Sequence, residues 1–473
     1  MHGEQLPFIG RGREMAVLSD ASESSDGQLV LLYGRRRIGK TFLLQRFSQG
    51  RKAIFYQATR QAQAGELAAF TRQAEQVVGP LPPGYAFPDW ERALEYLDER
   101  AGGERLIVIL DEFPYLCEST DGLSSIVQRW WDRRGRTSSI MLVLCGSAQA
   151  FMADLDSGSA PLHQRFTAKI ALGPLSYREA AQFVPSLEPA DRARVFGILG
   201  GTPLYLKEWR ADRSVRDNLV TLFGDPGSLL VESAPLILHT DLGDGIAPYR
   251  ALSAIANGST KRNDILQKAH VTNERVLTRL EELKLVTKRV PITEGARSRR
   301  GVFTVTDPYY RFWFRFVDAN RAAIDRGFGE RLVDEVIVPG LDDHMGSVFE
   351  DMARAFAVRL MARGELGGLD VGSWWSTDGG HEIDIVGVKR TDPVFIGTVK
   401  WRRAPLGRDV YANLADHARA LGVDASVPWL MIGRGGVEDA VLRREPHVRG
   451  YALADLYADG AEPVPAARKT AAR

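Results

Sequence analysis

Sulfur is scarce in this chain: its 473 residues include two cysteines, Cys117 and Cys145, each beside an apolar segment. So few thiols exclude a disulfide-stapled scaffold and a cysteine-rich metal centre, and both are expected to be buried, reduced groups. An excess of charge of either sign is lacking as well. The formal net charge is +1, so the molecule as a whole offers no bulk attraction to nucleic acid, and any such binding must come from a local basic patch. Neither a signal peptide nor an apolar run of spanning length is seen, so a soluble, cytoplasmic protein with no membrane partner is expected. Internal repeats are absent too. What remains is the composition of ordinary globular proteins, 44% hydrophobic and 26% charged. The length suggests about three domains.

The most informative stretch begins at Leu29. An apolar run to Tyr33 reads as a buried strand, the pattern Gly34-x-x-x-x-Gly39-Lys40-Thr41 follows it, and an apolar helical pattern starts at Phe42. This is a Walker A motif in strand–loop–helix context. The glycines let the backbone N–H groups of Gly34, Arg35, Arg36, Arg37, Ile38 and Gly39 wrap phosphate oxygens at a helix N-terminus. Lys40 would reach the β- and γ-phosphates, and the Thr41 hydroxyl would ligate Mg²⁺. About seventy residues on, a β-branched strand from Arg105 ends in Asp111-Glu112. In a Walker B motif the aspartate holds the metal and the glutamate polarises the attacking water, since hydrolysis needs a base aligned with the γ-phosphate. ATP and Mg²⁺ are therefore the expected ligands. A further strand from Ser139 ends at Gly146-Ser147. Arg165, between two later strands, either sits where a guanidinium would neutralise transition-state charge or forms a surface ion pair. Strands alternating with helical segments imply a parallel sheet with its ligand at the C-terminal strand ends.

The entry segment Gly10-Arg11-x-x-Glu14, Gly34–Thr41, Leu110-Asp111-Glu112-Phe113 and Gly200-Gly201-x-Pro203 together resemble the archaeal-type ATPase family, an AAA-like branch of P-loop proteins related to the signal-transducing STAND class. The resemblance covers residues 7–209. It implies that Gly10 and Arg11 border the nucleotide base, that Ser147 senses the γ-phosphate unless it is a plain turn serine, and that a helical lid and a regulatory module follow. The expected layout is an ATPase core at 7–175 and a lid at 176–240.

From Ala247 to Thr306 the pattern becomes two short helices and a basic hairpin, the winged helix–turn–helix arrangement. Thr272 is the expected N-cap of the second helix. Laid in a major groove, that helix would present Asn273, Arg275 and Arg279 to duplex DNA, with Arg297, Arg299 and Arg300 of the hairpin on the backbone. Glu274, Glu281 and Glu282 would repel DNA, and the alternative is a rigid interdomain module serving a protein partner. Residues 307–345 read as linker helices. Their aromatic run from Tyr309 suits a buried helix face or, alternatively, base stacking.

Residues 346–455 resemble the restriction-endonuclease-like PD-(D/E)xK core in the form attached to archaeal-type ATPases, with Gly346 opening its first helix. The resemblance implies an α/β domain in which Glu350, Asp384 and Lys400 share a metal. Thr398 stands where that pattern has Glu, which removes one charge from the site. Glu382, on the same strand face as Asp384, is a candidate substitute. A degenerate binding module is the preferred reading over an ATP-controlled DNA nuclease. Residues 461–473, rich in Ala, Pro and Arg, are expected to be a disordered tail.

Overall fold

The computed structural model describes residues 8–242, 246–295 and 298–458. Pro7, Arg297 and the expected tail at 461–473 lie outside the described residues. The chain divides into two compact units, one running to Leu175 with Thr202–Leu204 added, the other comprising Ser176–Gly201 and the chain from Tyr205 onward.

The first unit is built on five strands, β1 (Gln28–Tyr33), β2 (Ala53–Gln57), β3 (Leu106–Asp111), β4 (Ile140–Gly146) and β5 (Ala168–Ala171), in the order β2-β3-β4-β1-β5. All neighbours are parallel. Every residue of β3 and β4 is buried, which is why these segments read as unbroken apolar runs rather than alternating ones. The period of two nevertheless sorts their side chains. Leu29, Leu31, Val108, Leu110, Leu142 and Leu144 enter one core with Trp90 and Trp130. Val30, Leu32, Ile107, Ile109, Met141 and Val143 enter the opposite one with Leu43 and Phe47. Cys145 lies in that second core, Cys117 is half-buried, and both thiols are free.

The second unit begins with helices between Tyr177 and Leu242. Three helices then follow, Ile246–Ala256, Arg262–Ala269 and Arg275–Glu282, before an antiparallel hairpin of β6 (Val286–Arg289) and β7 (Val302–Val305). The last helix starts three residues beyond the expected cap. Glu274 is its N-cap, and the Asn273 carboxamide accepts from Arg275 N (3.0 Å), so Asn273 rather than Thr272 satisfies a first-turn donor. The aromatic run is interior: Tyr309, Tyr310, Phe312, Trp313, Phe314 and Phe316 are buried, which removes the base-stacking alternative.

Gly346 does not open a helix. It lies inside one continuous helix, Val338–Ala362, so the expected boundary at 345/346 falls mid-element. Pro339 follows a π-helical turn, Val333–Ile337, that runs directly into this helix. Each interior glycine costs about 1 kcal/mol, and burial of Leu341, Met345, Val348, Phe349, Met352 and Phe356 outweighs that cost. Gly340 is also required sterically, since a Cβ there would lie 2.9 Å from the Phe316 ring.

This helix covers one face of a mixed sheet ordered β12-β11-β10-β9-β8, comprising β8 (Asp370–Trp375), β9 (Glu382–Lys389), β10 (Asp392–Lys400), β11 (Trp429–Gly433) and β12 (Val448–Ala452). The pairs β8/β9 and β9/β10 are antiparallel, and the other two are parallel. The helix Arg408–Leu421 covers the opposite face. The hairpin is joined to this sheet by Ile292 N donating to Ser373 O (2.9 Å) and by Arg300 bonded to Trp375 O. Asp351 receives Arg289 of the hairpin, Arg311 of the aromatic segment and Arg354 of its own helix (2.7 Å to the last). Those three guanidinium groups hold its carboxyl well below the usual carboxylate range despite burial, which pushes the other way. No helix among the described residues is long and apolar enough to cross a membrane.

His344, on the same long helix, is buried with Nε2 2.8 Å from Gly197 O. Burial lowers its pKa to about 4. The unfolded chain, with an ordinary histidine near 6.5, binds the extra proton between those values. Stability is therefore lost as pH falls through that window, by about 2–3 kcal/mol. Glu350, raised by burial to about 7, acts in the opposite sense between roughly pH 4.5 and 7. Comparing urea unfolding of the wild type with His344→Gln across pH 4–7 isolates the histidine: the wild type is expected to lose stability relative to the variant toward pH 4.

Candidate functional site

The strand order brings the working residues of the first unit together. Because β4 lies between β1 and β3, the loop after β1, the carboxylates after β3 and the residue after β4 share one sheet edge, at the C-terminal strand ends. The phosphate loop leaves β1 at Gly34, where a Cβ would sit 2.3 Å from Leu172 O, and re-enters helix at Gly39, whose φ of +94° suits glycine. Arg37 takes a left-handed conformation within the turn. Lys40 is buried, and its ammonium donates to Gly34 O and Arg35 O, both at 3.0 Å. It thereby lies over the loop whose N–H groups would meet phosphate.

The Thr41 hydroxyl donates to Asp111 Oδ2 at 2.8 Å, and Glu112 N donates to Asp111 Oδ1 at 3.0 Å. Asp111 is fully buried. The Cys145 thiol beside it is pushed well above its ordinary pKa by burial and by that carboxylate, so it is a poor nucleophile. Glu112 occupies the left-handed region at φ +54°, a strained conformation for a residue with a side chain. Its carboxylate accepts from Ser147 Oγ (2.9 Å) and Ser147 N (3.3 Å). Ser147, almost fully buried, thus holds the carboxylate that would align water.

Arg11, also left-handed, donates from Nη2 to Ile38 O at 3.0 Å and faces Glu14 at 3.7 Å, so it braces the phosphate loop from the entry segment, next to Gly10. Arg36 donates to the Tyr115 hydroxyl at 3.1 Å. Arg165 is a bidentate partner of Asp132 (2.8 and 3.0 Å), so of its two sequence readings the ion pair is the one formed here.

In the second unit, Asp384 of β9 faces Thr398 of β10. Its Oδ2 accepts from Thr398 Oγ1 (3.0 Å), Val399 N (2.7 Å) and Lys400 Nζ (3.3 Å). Glu350 lies close enough to Asp384 and Glu382 that their charges, added to burial, raise its carboxyl to about 7. Glu350, Glu382, Asp384 and Lys400 therefore form one cluster. Sequence reasoning missed Asp351 and Arg354, although Glu350-Asp351-x-x-Arg354 on a helix is an i,i+3/i,i+4 charge pattern. Arg354 Nη1 donates to Asp384 O at 2.9 Å, and its Nη2 lies 3.7 Å from Glu350 Oε2.

The residues proposed for DNA differ in how they are engaged. Arg275 and Arg299 are exposed, Asn273 supports its helix, Arg279 lies 3.7 Å from Glu282, and Arg300 is bonded to Glu294 and to Trp375 O.

Such a sheet, with its phosphate loop and two carboxylates at one edge, defines the class of P-loop nucleotide-binding ATPases. Residues 8–209 match the family described as an ATPase domain predominantly from Archaea. Residues 313–411 match a second family, described as archaeal and bacterial proteins of unknown function. An uncharacterized protein of Methanocaldococcus jannaschii is 28% identical over 428 residues, covering 88% of this chain and 93% of that protein. An uncharacterized ATP-binding protein of the same organism is 38% identical over 45 residues, 10% of this chain and 76% of that protein. Among solved structures, the Walker-type ATPase of Pyrococcus abyssi is 17% identical with a TM-score of 0.47, covering 65% of this chain and 96% of that one.

The raised pKa of Glu350 is checked by carboxyl-carbon NMR. In Asp384→Asn it is expected to move down from about 7, because one repelling charge is gone, yet to stay above the ordinary glutamate value because burial, the larger cause, persists.

Proposed function

We propose that the chain is an Mg²⁺-dependent ATP hydrolase working as a nucleotide switch, which positions its winged-helix and nuclease-like modules on DNA or a protein partner in the cytoplasm. The grip of Ser147 on Glu112 beside Asp111 carries this reading. The residues fit the ligands. Gly34 and Gly39 permit a cradle of N–H donors, Lys40 supplies a cation at the loop, and Thr41 and Asp111 pair two oxygen donors suited to a hard divalent cation. Bound Mg²⁺ would neutralise charge on the phosphates. In this reading Lys40 moves from the loop carbonyls to phosphate oxygens, and Glu112 orients water and accepts its proton. Ser147 holds the Glu112 carboxylate in place by donating to it, and responds when that carboxylate turns toward the nucleotide.

The downstream modules are read as one body. The hairpin is docked on β8 through Ile292 and Arg300 and on the long helix through Arg289 and Asp351, which favours the rigid interdomain reading of the winged helix. With Arg279 and Arg300 engaged internally, a protein partner is favoured over duplex DNA.

Phosphate release from ATP tests the proposal. Glu112→Gln is expected to slow hydrolysis by about 10²-fold or more while ATP still binds, and Lys40→Ala to lose binding. Hydrolysis unchanged in Glu112→Gln overturns the assignment. Stimulation by duplex DNA that falls steeply with salt would identify DNA as the partner instead.

Thr398 supports the reading of a module that does not cleave. Its hydroxyl donates to Asp384 where a metal site needs another carboxylate. The wild type is expected not to cut duplex DNA with Mg²⁺ or Mn²⁺, and Thr398→Glu to acquire metal-dependent nicking, scored on supercoiled plasmid.

A further inference from the structure

Next to Glu382 in the chain, the turn before β9 meets the helix Arg408–Leu421 through three side chains that could share a metal ion, His381, Asp416 and His417. His381 Nδ1 is 3.1 Å from His417 Nδ1 and 3.7 Å from Asp416 Oδ2. One ligand atom from each residue falls within 4.8 Å of the others. Metal–ligand bonds of about 2.0–2.1 Å turn those separations into angles of about 98° and about 125° at a shared ion, which bracket the tetrahedral value.

The turn is built before any ion arrives. Ser376 N donates to His381 O (2.9 Å), His381 N donates to Ser376 Oγ (3.0 Å), and Asp378 caps Gly380 N (3.0 Å) and bonds Ser376 Oγ. The backbone of His381 is therefore fixed. Asp416 and His417 are consecutive residues of one helix, and His381 and His417 are half-buried. One competitor is present, Arg419, 2.9 Å from Asp416, but it is largely exposed and can swing into solvent. Two imidazoles and one carboxylate suit a borderline late first-row cation and not Mg²⁺, which prefers all-oxygen ligands.

We propose that His381, Asp416 and His417 form a Zn²⁺-type site, with its fourth position open to water, that pins the β8–β9 turn to the helix Arg408–Leu421. The alternative that the same distance allows is a hydrogen bond between two neutral imidazoles with no ion.

The test uses the full chain, stripped with a chelator and kept free of ATP and Mg²⁺. Zn²⁺ is titrated against a chromophoric chelator, and Co²⁺ is added separately as a spectroscopic probe. One Zn²⁺ per chain is expected, held about tenfold or more weakly in His381→Gln and in His417→Gln, together with visible Co²⁺ bands of a four-coordinate site in the wild type. Zn²⁺ should raise the melting temperature of the wild type and not of the double variant. Failure of the wild type to compete for Zn²⁺, or to give the Co²⁺ bands, overturns the proposal without reference to any variant. So does equal affinity in the wild type and the double variant.

Discussion

One hydrogen bond, from the Thr41 hydroxyl to the Asp111 carboxylate, holds the candidate site of the first unit together. A buried carboxylate is costly unless its oxygens are satisfied. Asp111 meets that condition with Thr41 on one oxygen and its neighbour's N–H on the other. The bond ties the helix after β1 to the end of β3, two strands that are not adjacent, across the end of β4. Gly146 must be small there: a Cβ would lie 2.7 Å from both Met152 and Pro114. Ser147 then follows within reach of Glu112.

The second unit has a comparable point of convergence at Asp351. One carboxylate gathers guanidinium groups from the hairpin, from the aromatic segment and from its own helix. Removing this half-buried carboxylate would leave the three guanidinium groups without their shared acceptor. The packing of His344 against Gly197 and the bond from Tyr177 to Leu456 O (3.0 Å) extend the same body to the helices that precede Tyr205. Residues 176–201, which the sequence suggested as part of a lid, pack within this unit.

What could be read from the chain in advance follows from the range of the interactions involved. The strands of the first unit were legible because burial on both faces writes itself as apolar runs, and the phosphate loop because its glycines answer to local backbone geometry. The grouping of Glu350, Asp384 and Lys400 was legible only through resemblance. The long helix was not, since Pro339, Gly340 and Gly346 are helix breakers by local rule and only tertiary burial overrides them. Nothing in the residues next to Asp351 singles it out. Its role depends on Arg289 and Arg311, which are remote in sequence and recognisable only once the hairpin is docked. His381 and His417 escaped notice for the same reason, because nothing in the spacing between a turn and a later helix announces that two imidazoles meet.

The left-handed backbone of Glu112 sets protein stability and turnover against each other at one residue. A glycine there would relax the local strain, by about 1 kcal/mol, and would also delete the carboxylate that Ser147 holds. Local backbone strain and the placement of that carboxylate are therefore set at one and the same residue.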